Sequence, residues 1–424
     1  MIRRLGMLMV SMLVFCQIGV CAIATQEGSP PLDDTDWPKM IEALKAELWR
    51  HPGQKDLSQQ LAYAYNNYAV LLGQRGEWEE AVSNMEEALR LENNPDMRKS
   101  LSYLYLNQAS SFYQDPSAAR SSRQQTEKAK RLIQKALDIN PDFAEAYQAL
   151  GNIEYGSQRL KEAQKAWAKA WSLNPDLPNL AQSMQRLAKE LPVEAEFDKL
   201  TQMYFDLRYE DQVQRTVGFN IQDTLMEARR QVGGDFRLWP KYTTVVLIYS
   251  AENFRQVRQD SPLWAGGMYD GKIRIPLPGL QYNEQEVKTI LFHEYTHVLV
   301  YDLAGPKCPT WLNEGLAEYG GAKAGKRPLD LLSAALKDNQ LIPWDALDAQ
   351  LTSEASTLQA GLAYQQSHSI VAYLADRYGF WRMRNVLAEI KTGVPAWQAI
   401  EKEFKTKRPR MERQWLEWLP EFLR

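Results

Sequence analysis

The chain has 424 residues, with 50 lysines and arginines against 53 aspartates and glutamates, for a formal net charge of −3. That balance leaves no basic stripe large enough to follow a nucleic-acid backbone, which argues against a nucleic-acid partner. Hydrophobic residues form 45% of the sequence, and only three cysteines occur, so stability must come from large cores in about two domains rather than from disulfides.

At the N-terminus, Arg3 and Arg4 precede an apolar run from Leu5 to about Val20, and Ala22-Ile23-Ala24 offers the small residues of a cleavage site. Residues 1–24 therefore read as a signal peptide, and the protein as exported to the periplasm or secreted. An uncleaved anchor is the rival reading. The run is short for a span and is interrupted by Gln17, so no integral membrane segment is expected once the leader is gone. Cys16 and Cys21 would leave with it, and Cys308 would remain, either as a thiol near a metal or as an inert buried side chain. Residues 25–52 form a flexible start, rich in Gly, Ser, Pro and Asp to about Asp36, followed by a partial helical cap.

Residues 53–190 carry helical repeats. In 144–175, Tyr147, Leu150, Gly151, Ala163, Trp167, Ala170 and Pro175 fall where a tetratricopeptide (TPR) repeat places its bulky, small and helix-ending residues. Gly76, Trp78, Ala81, Ala88 and Pro95 resemble a second unit, and Ala129, Ile133, Ala136 and Pro141 a third. Such an α-solenoid offers a concave face for a protein partner, or serves as a rigid spacer beside another domain.

A linker near Leu191-Pro192-Val193-Glu194 is expected to lead into a second domain over 195–424, with its first strand at 205–209. Residues 243–249 read as a buried strand. Residues 271–277 alternate like an edge strand ending at Pro276, open to an extended peptide or blunted by Lys272 and Arg274.

The chemistry lies further on, in His293-Glu294-Tyr295-Thr296-His297 and in Trp311-Leu312-Asn313-Glu314-Gly315-Leu316-Ala317-Glu318-Tyr319. Asn283 and Glu286 make a helix-start signal, and Val287, Ile290, Leu291, Val298 and Leu299 continue at helical spacing to a stop at Gly305-Pro306. Positions four apart share a helix face, so His293 and His297 can reach one Zn2+ ion while Glu294 faces the same space. A second short helix, from about Thr310 to Gly320-Gly321, offers Glu314 as a third ligand and leaves a coordination position for water. With only four histidines in the chain, two in this motif, the pattern reads as a zinc peptidase site with Glu294 as general base.

Together these motifs resemble the gluzincin metallopeptidases, and most closely the peptidase MA-like group, over about residues 195–424. The resemblance implies a thermolysin-like α+β catalytic domain after the solenoid, in a chain that is mainly α. It assigns His293, His297 and Glu314 to zinc and Glu294 to proton transfer. It also implies that Glu318, one turn after Glu314, supports a histidine ring from behind the metal, with Asn313 in a similar orienting role. By the same resemblance, the helix containing Tyr364 supplies an oxyanion donor; His368, four residues on and so on the same helix face, is a further catalytic candidate.

Gly266-Gly267-Met268-Tyr269-Asp270 matches a Gly-x-Met-Glu-Asn stretch of the aminopeptidase relatives, with Tyr269 in place of the Glu that grips a free amino terminus and Asp270 as a partial substitute. An endopeptidase acting on polypeptides is therefore favoured. The competing class is a TPR-based binding or scaffold protein whose peptidase-like zinc domain is structural or inactive. At the C-terminus, Trp415, Trp418, Leu419 and Phe422 form an amphipathic helix expected to pack on the domain rather than on a membrane.

Overall fold

The computed structural model describes residues 36–113, 123–210, 215–258, 267–277, 283–352 and 355–424. The expected leader, Cys16 and Cys21, Gly266 and nearly all of the flexible start lie outside the described residues. The chain divides into two compact units, one drawing on Met1–Gln114, Gln124–Leu150 and Ala168–Leu177, the other on Asp115–Arg123, Gly151–Trp167 and Pro178–Arg424.

The first unit is helical, built from α1 (Trp37–Arg50), α2 (Lys55–Gln74), α3 (Trp78–Leu91), α4 (Pro95–Ser110) and α5 (Arg123–Ile139). α1 to α4 pack in succession. Caps fix their starts: Asn94 Oδ1 accepts from the backbone N–H of Asp96 at 2.8 Å and of Met97 at 3.3 Å, with Pro95 in the first turn where its missing N–H costs nothing. The small residues expected between paired helices are buried, among them Ala81, Ala88, Ala129 and Ala136. Gly76 makes the α2–α3 turn with φ +78°, a conformation that favours glycine. The partial cap expected before residue 53 is α1, a full helix with Trp37 and Ile41 buried. Next come α6 (Ala144–Gly156) and α7 (Leu160–Leu173), which contribute residues to both units.

The second unit opens, after its share of α6 and α7, with α8 (Leu180–Glu194). The linker expected at 191–194 is the last turn of this helix, with Pro192 inside it and Glu190 and Glu194 buried. Proline suggests a break, but tertiary contacts of the two carboxylates hold the helix on. β1 (Asp198–Thr201), β2 (Phe205–Tyr209), α9 (Arg215–Phe236), β3 (Thr244–Ser250), α10 (Ala251–Val257), β4 (Met268–Tyr269) and β5 (Ile273–Leu277) follow. The five strands form one sheet in the order β1-β2-β3-β5-β4, parallel from β2 through β3 to β5 and antiparallel at both ends. Residues 205–209, expected as the first strand, are the second.

β5 is not the edge strand that its alternation predicts, because β4 pairs with it at Met268↔Arg274 and Tyr269↔Ile273. Nor do Lys272 and Arg274 face solvent: both are buried. β3 is covered on both faces as expected. Val246 and Ile248 join the main core, while Val245, Leu247 and Tyr249 pack with Phe254 and Val257.

The rest is helical: α11 (Glu284–Ala304), α12 (Thr310–Ala322), α13 (Asp330–Lys337), α14 (Thr357–Tyr378), α15 (Met383–Thr392), α16 (Ala396–Phe404) and α17 (Arg408–Phe422). Each fully buried Leu, Ile or Phe of this core contributes about 1.5–3 kcal/mol relative to exposure. α17 packs as expected, burying Met411, Trp415 and Leu419, and Trp415 Nε1 donates to Ser369 Oγ at 3.2 Å. Among the described residues no helix is long and apolar enough to cross a membrane.

Candidate metal centre

α11 starts where Asn283 Oδ1 accepts from the backbone N–H of Gln285 at 3.1 Å and of Glu286 at 3.3 Å, and it ends at Gly305, φ +66°. Its apolar side, including Val287, Leu291, Val298 and Leu299, lies in the main core and fixes the rotation of the helix. That rotation turns His293, Glu294 and His297 together into a cavity of about 610 Å³. α12 packs across α11, and its glycines permit the approach. A Cβ at Gly320 would stand 2.0 Å from Thr296 Oγ1, and one at Gly315 would stand 2.6 Å from the Ser367 carbonyl oxygen of α14. α12 ends at Ala322, one residue past the Gly320-Gly321 stop that the sequence suggests.

This packing brings Glu314 to the histidines. His293 Nε2 and His297 Nε2 are 3.1 Å apart, and Glu314 Oε2 lies 3.4 Å from the first and 3.5 Å from the second. Donor atoms about 2.0–2.2 Å from a tetrahedral zinc ion stand roughly 3.3–3.6 Å from one another, so the three atoms fit three corners of such a site with little adjustment. Glu314 Oε2 is buried and accepts no hydrogen bond, as suits an atom with a lone pair to give. Glu294 also offers an oxygen within 4.8 Å of the histidine nitrogens. The tighter triangle is the one with Glu314, which leaves Glu294 beside it.

Each imidazole is held from behind. His297 Nδ1 lies 3.0 Å from Asn313 Oδ1, an acceptor, so the proton sits on Nδ1 and the Nε2 lone pair faces the cavity. His293 Nδ1 lies 3.2 Å from Glu318 Oε1. Glu318 in turn is gripped through both oxygens by the Arg327 guanidinium. Arg327, in the loop after α12, carries no signal in the sequence, because no periodicity or motif links it to Glu318.

The carboxylates of Glu294, Glu314 and Glu318 and the two imidazoles shift one another. Burial works to lower the His293 pKa, but the carboxylates of Glu314 and Glu318 outweigh it and push it up to about 10. Burial pushes Glu294 up to about 8. His297 is lowered by its burial. Burial opposes the charge on Glu314 and Glu318, yet the neighbouring histidines hold both below the usual carboxylate range, helped at Glu318 by Arg327.

Tyr364 lines the same cavity from α14, whose start is fixed by a capping box between Ser356 and Gln359. Burial, followed by the nearby carboxylates of Glu314, Glu318 and Glu294, raises the pKa of its hydroxyl above the usual phenol range, so it remains a donor. His368, one turn further along α14, does not line the cavity. It is buried against Phe422, ring centroids 5.7 Å apart, and burial lowers its pKa to about 4. The four-residue spacing keeps it on the Tyr364 side of the helix but carries it past the cavity and under α17.

Met268 and Tyr269 of β4 border the cavity, whereas Asp270 pairs with Arg258 and Arg274. Cys308 lines the wall near Pro306, and burial holds its thiol protonated. A comparison with curated proteins finds no match. Residues 239–421, which contain β3 to β5 and every side chain of the cluster, match the Peptidase MA superfamily model, and this supports an MA-clan, gluzincin-like peptidase domain in that part of the chain.

Proposed function

We propose that the chain is an exported zinc metallopeptidase that cleaves polypeptides internally, with its TPR-like helices as a platform for substrate or a protein partner. The reading rests on one observation above all, the triangle of His293 Nε2, His297 Nε2 and Glu314 Oε2 beside the buried carboxyl of Glu294. One zinc ion held by these atoms would acidify water and polarise a substrate carbonyl. Glu294 accepts the proton of the attacking water and later delivers it to the leaving amine. Tyr364 donates a hydrogen bond to the oxyanion that develops on the substrate carbonyl. Glu318 and Asn313 keep the two imidazoles turned toward the cavity, and Arg327 keeps Glu318 in place.

Endopeptidase action is favoured because the motif resemblance puts Tyr269 where aminopeptidases carry the Glu that grips a free amino terminus, and the neighbouring Asp270 is engaged by two arginines. Export follows from the leader-like residues 1–24.

The test is to purify the mature chain and assay zinc content and chelator-sensitive cleavage of casein, beside Glu294→Gln. The expected result is cleavage by the unmodified chain, with the variant retaining zinc and losing about 10²–10⁴-fold in kcat. Full activity in Glu294→Gln would remove the assigned base. A zinc-bound chain that cleaves nothing would favour the scaffold alternative.

A further inference from the structure

We propose that a buried knot of ions around Arg274 anchors the cavity-edge strand β4 against Glu294, with Asp270 as the positioning residue that ties strand to knot. The role of Glu294 in this inference rests on the function proposed above; the anchoring itself does not. β4 is two residues long and has only two register partners on β5, too little pairing to fix a strand by itself. Its position nevertheless matters. Gly267, just before it, approaches the Glu294 carboxyl so closely that a Cβ there would stand 2.6 Å from Oε1.

The residue after β4 supplies the anchor. Asp270 is gripped by Arg258 and accepts from Arg274 Nε at 3.3 Å. Arg274, fully buried on β5, donates through Nη1 to Glu194 Oε1 at 2.5 Å and through Nη2 to Glu190 Oε1 at 2.9 Å. The same two carboxylates accept from the hydroxyls of Tyr249 at 2.6 Å and Tyr155 at 2.7 Å. Buried Lys272 donates to Gln158 Oε1 at 2.6 Å and lies 3.7 Å from the centre of the Tyr155 ring.

Three cations, Arg258, Lys272 and Arg274, thus balance three carboxylates, Asp270, Glu190 and Glu194. Desolvating such groups costs several kcal/mol per ion, and an apolar cluster of equal volume is often at least as stable. What the knot supplies that apolar packing cannot is direction: the planar guanidinium of Arg274 has donors fixed in space, and Nε, Nη1 and Nη2 are each directed at a different carboxylate, Asp270, Glu194 and Glu190. Two of those acceptors lie on α8 and the third directly follows β4. Helix α8 and the closing turns of α6 therefore serve the peptidase cavity itself, in addition to any role of the repeats in binding.

The experiment compares the full mature chain with Asp270→Asn, Asp270→Glu, Arg258→Gln and, as a control, Leu187→Ala, which truncates a buried apolar side chain of α8 and removes no charge. Hydrogen–deuterium exchange is followed at the amides of 267–277 and of α11, with zinc content and kcat on a casein-derived peptide. Asp270→Asn and Arg258→Gln are expected to exchange about tenfold faster in 267–277 with α11 unchanged, to keep zinc, and to lose about tenfold in kcat, since small misplacements at a reacting centre carry such factors. Asp270→Glu should recover most of both, and Leu187→Ala should lose stability but keep kcat when assayed below its unfolding temperature. Wild-type exchange in both Asp270→Asn and Arg258→Gln, or an equal loss of kcat in Leu187→Ala, would overturn the proposal. If the unmodified chain cleaves nothing, the peptidase reading fails, and the exchange comparison still decides whether the knot anchors β4.

Discussion

His297 turns its Nε2 to the cavity because Asn313 holds the opposite nitrogen at 3.0 Å. Without that acceptor the ring can rotate or change tautomer, so Asn313→Ala should weaken zinc affinity by about 10–100-fold, measurable by competition with a chromophoric chelator. Asp270 gives a prediction of another kind. Burial opposes its charge, but Arg274 and Arg258 outweigh that and hold its carboxyl well below the usual carboxylate range. A folded-state pKa below the unfolded one means that the stabilisation is present above about pH 4 and fades as pH falls further, toward the folded-state value. Urea midpoints of wild type and Asp270→Asn should therefore differ most near pH 7 and draw together progressively as pH falls below about 4; a gap independent of pH would contradict this. At this scale the sequence was most informative where spacing alone sets geometry, as in His293, Glu294 and His297. Arg327 and the Asp270 pairings were invisible, because they join residues on different elements through contacts that leave no period in the sequence.

Between elements, the site depends on how closely α12 can lie on α11 and α14. Gly320 faces Thr296 and Gly315 faces the backbone of Ser367, so added methyl groups must push helices apart. Gly320→Ala should cost about 1–3 kcal/mol of stability, seen as a lower melting temperature, and should weaken zinc binding as Glu314 moves away. A melting temperature at or above wild type would show that the helices have slack. Gly151 has the same role in the α6–α7 pair, where a Cβ would stand 2.3 Å from the Trp167 ring, and its small-residue pattern was legible as helix packing. Two elements misled for a shared reason. Pro192 suggested a linker and the alternation around Lys272 and Arg274 suggested an exposed edge, yet both stretches are held by buried ion pairs across distant parts of the chain.

For the whole molecule, the order of helices before a small sheet and a second helical part was readable from composition and periodicity, because each segment buries one face locally. The grouping of 151–167 and α8 with the sheet-containing unit was not, since it follows from contacts between segments far apart in sequence. The proposed function depends on one cation joining α11 to α12. Its most direct test is zinc stoichiometry, by atomic emission on desalted protein, for the unmodified chain, Glu294→Gln and Glu314→Gln. One zinc per chain is expected in the first two and a large loss in the third. Equal zinc in all three, or none in the unmodified chain after reconstitution, would contradict it.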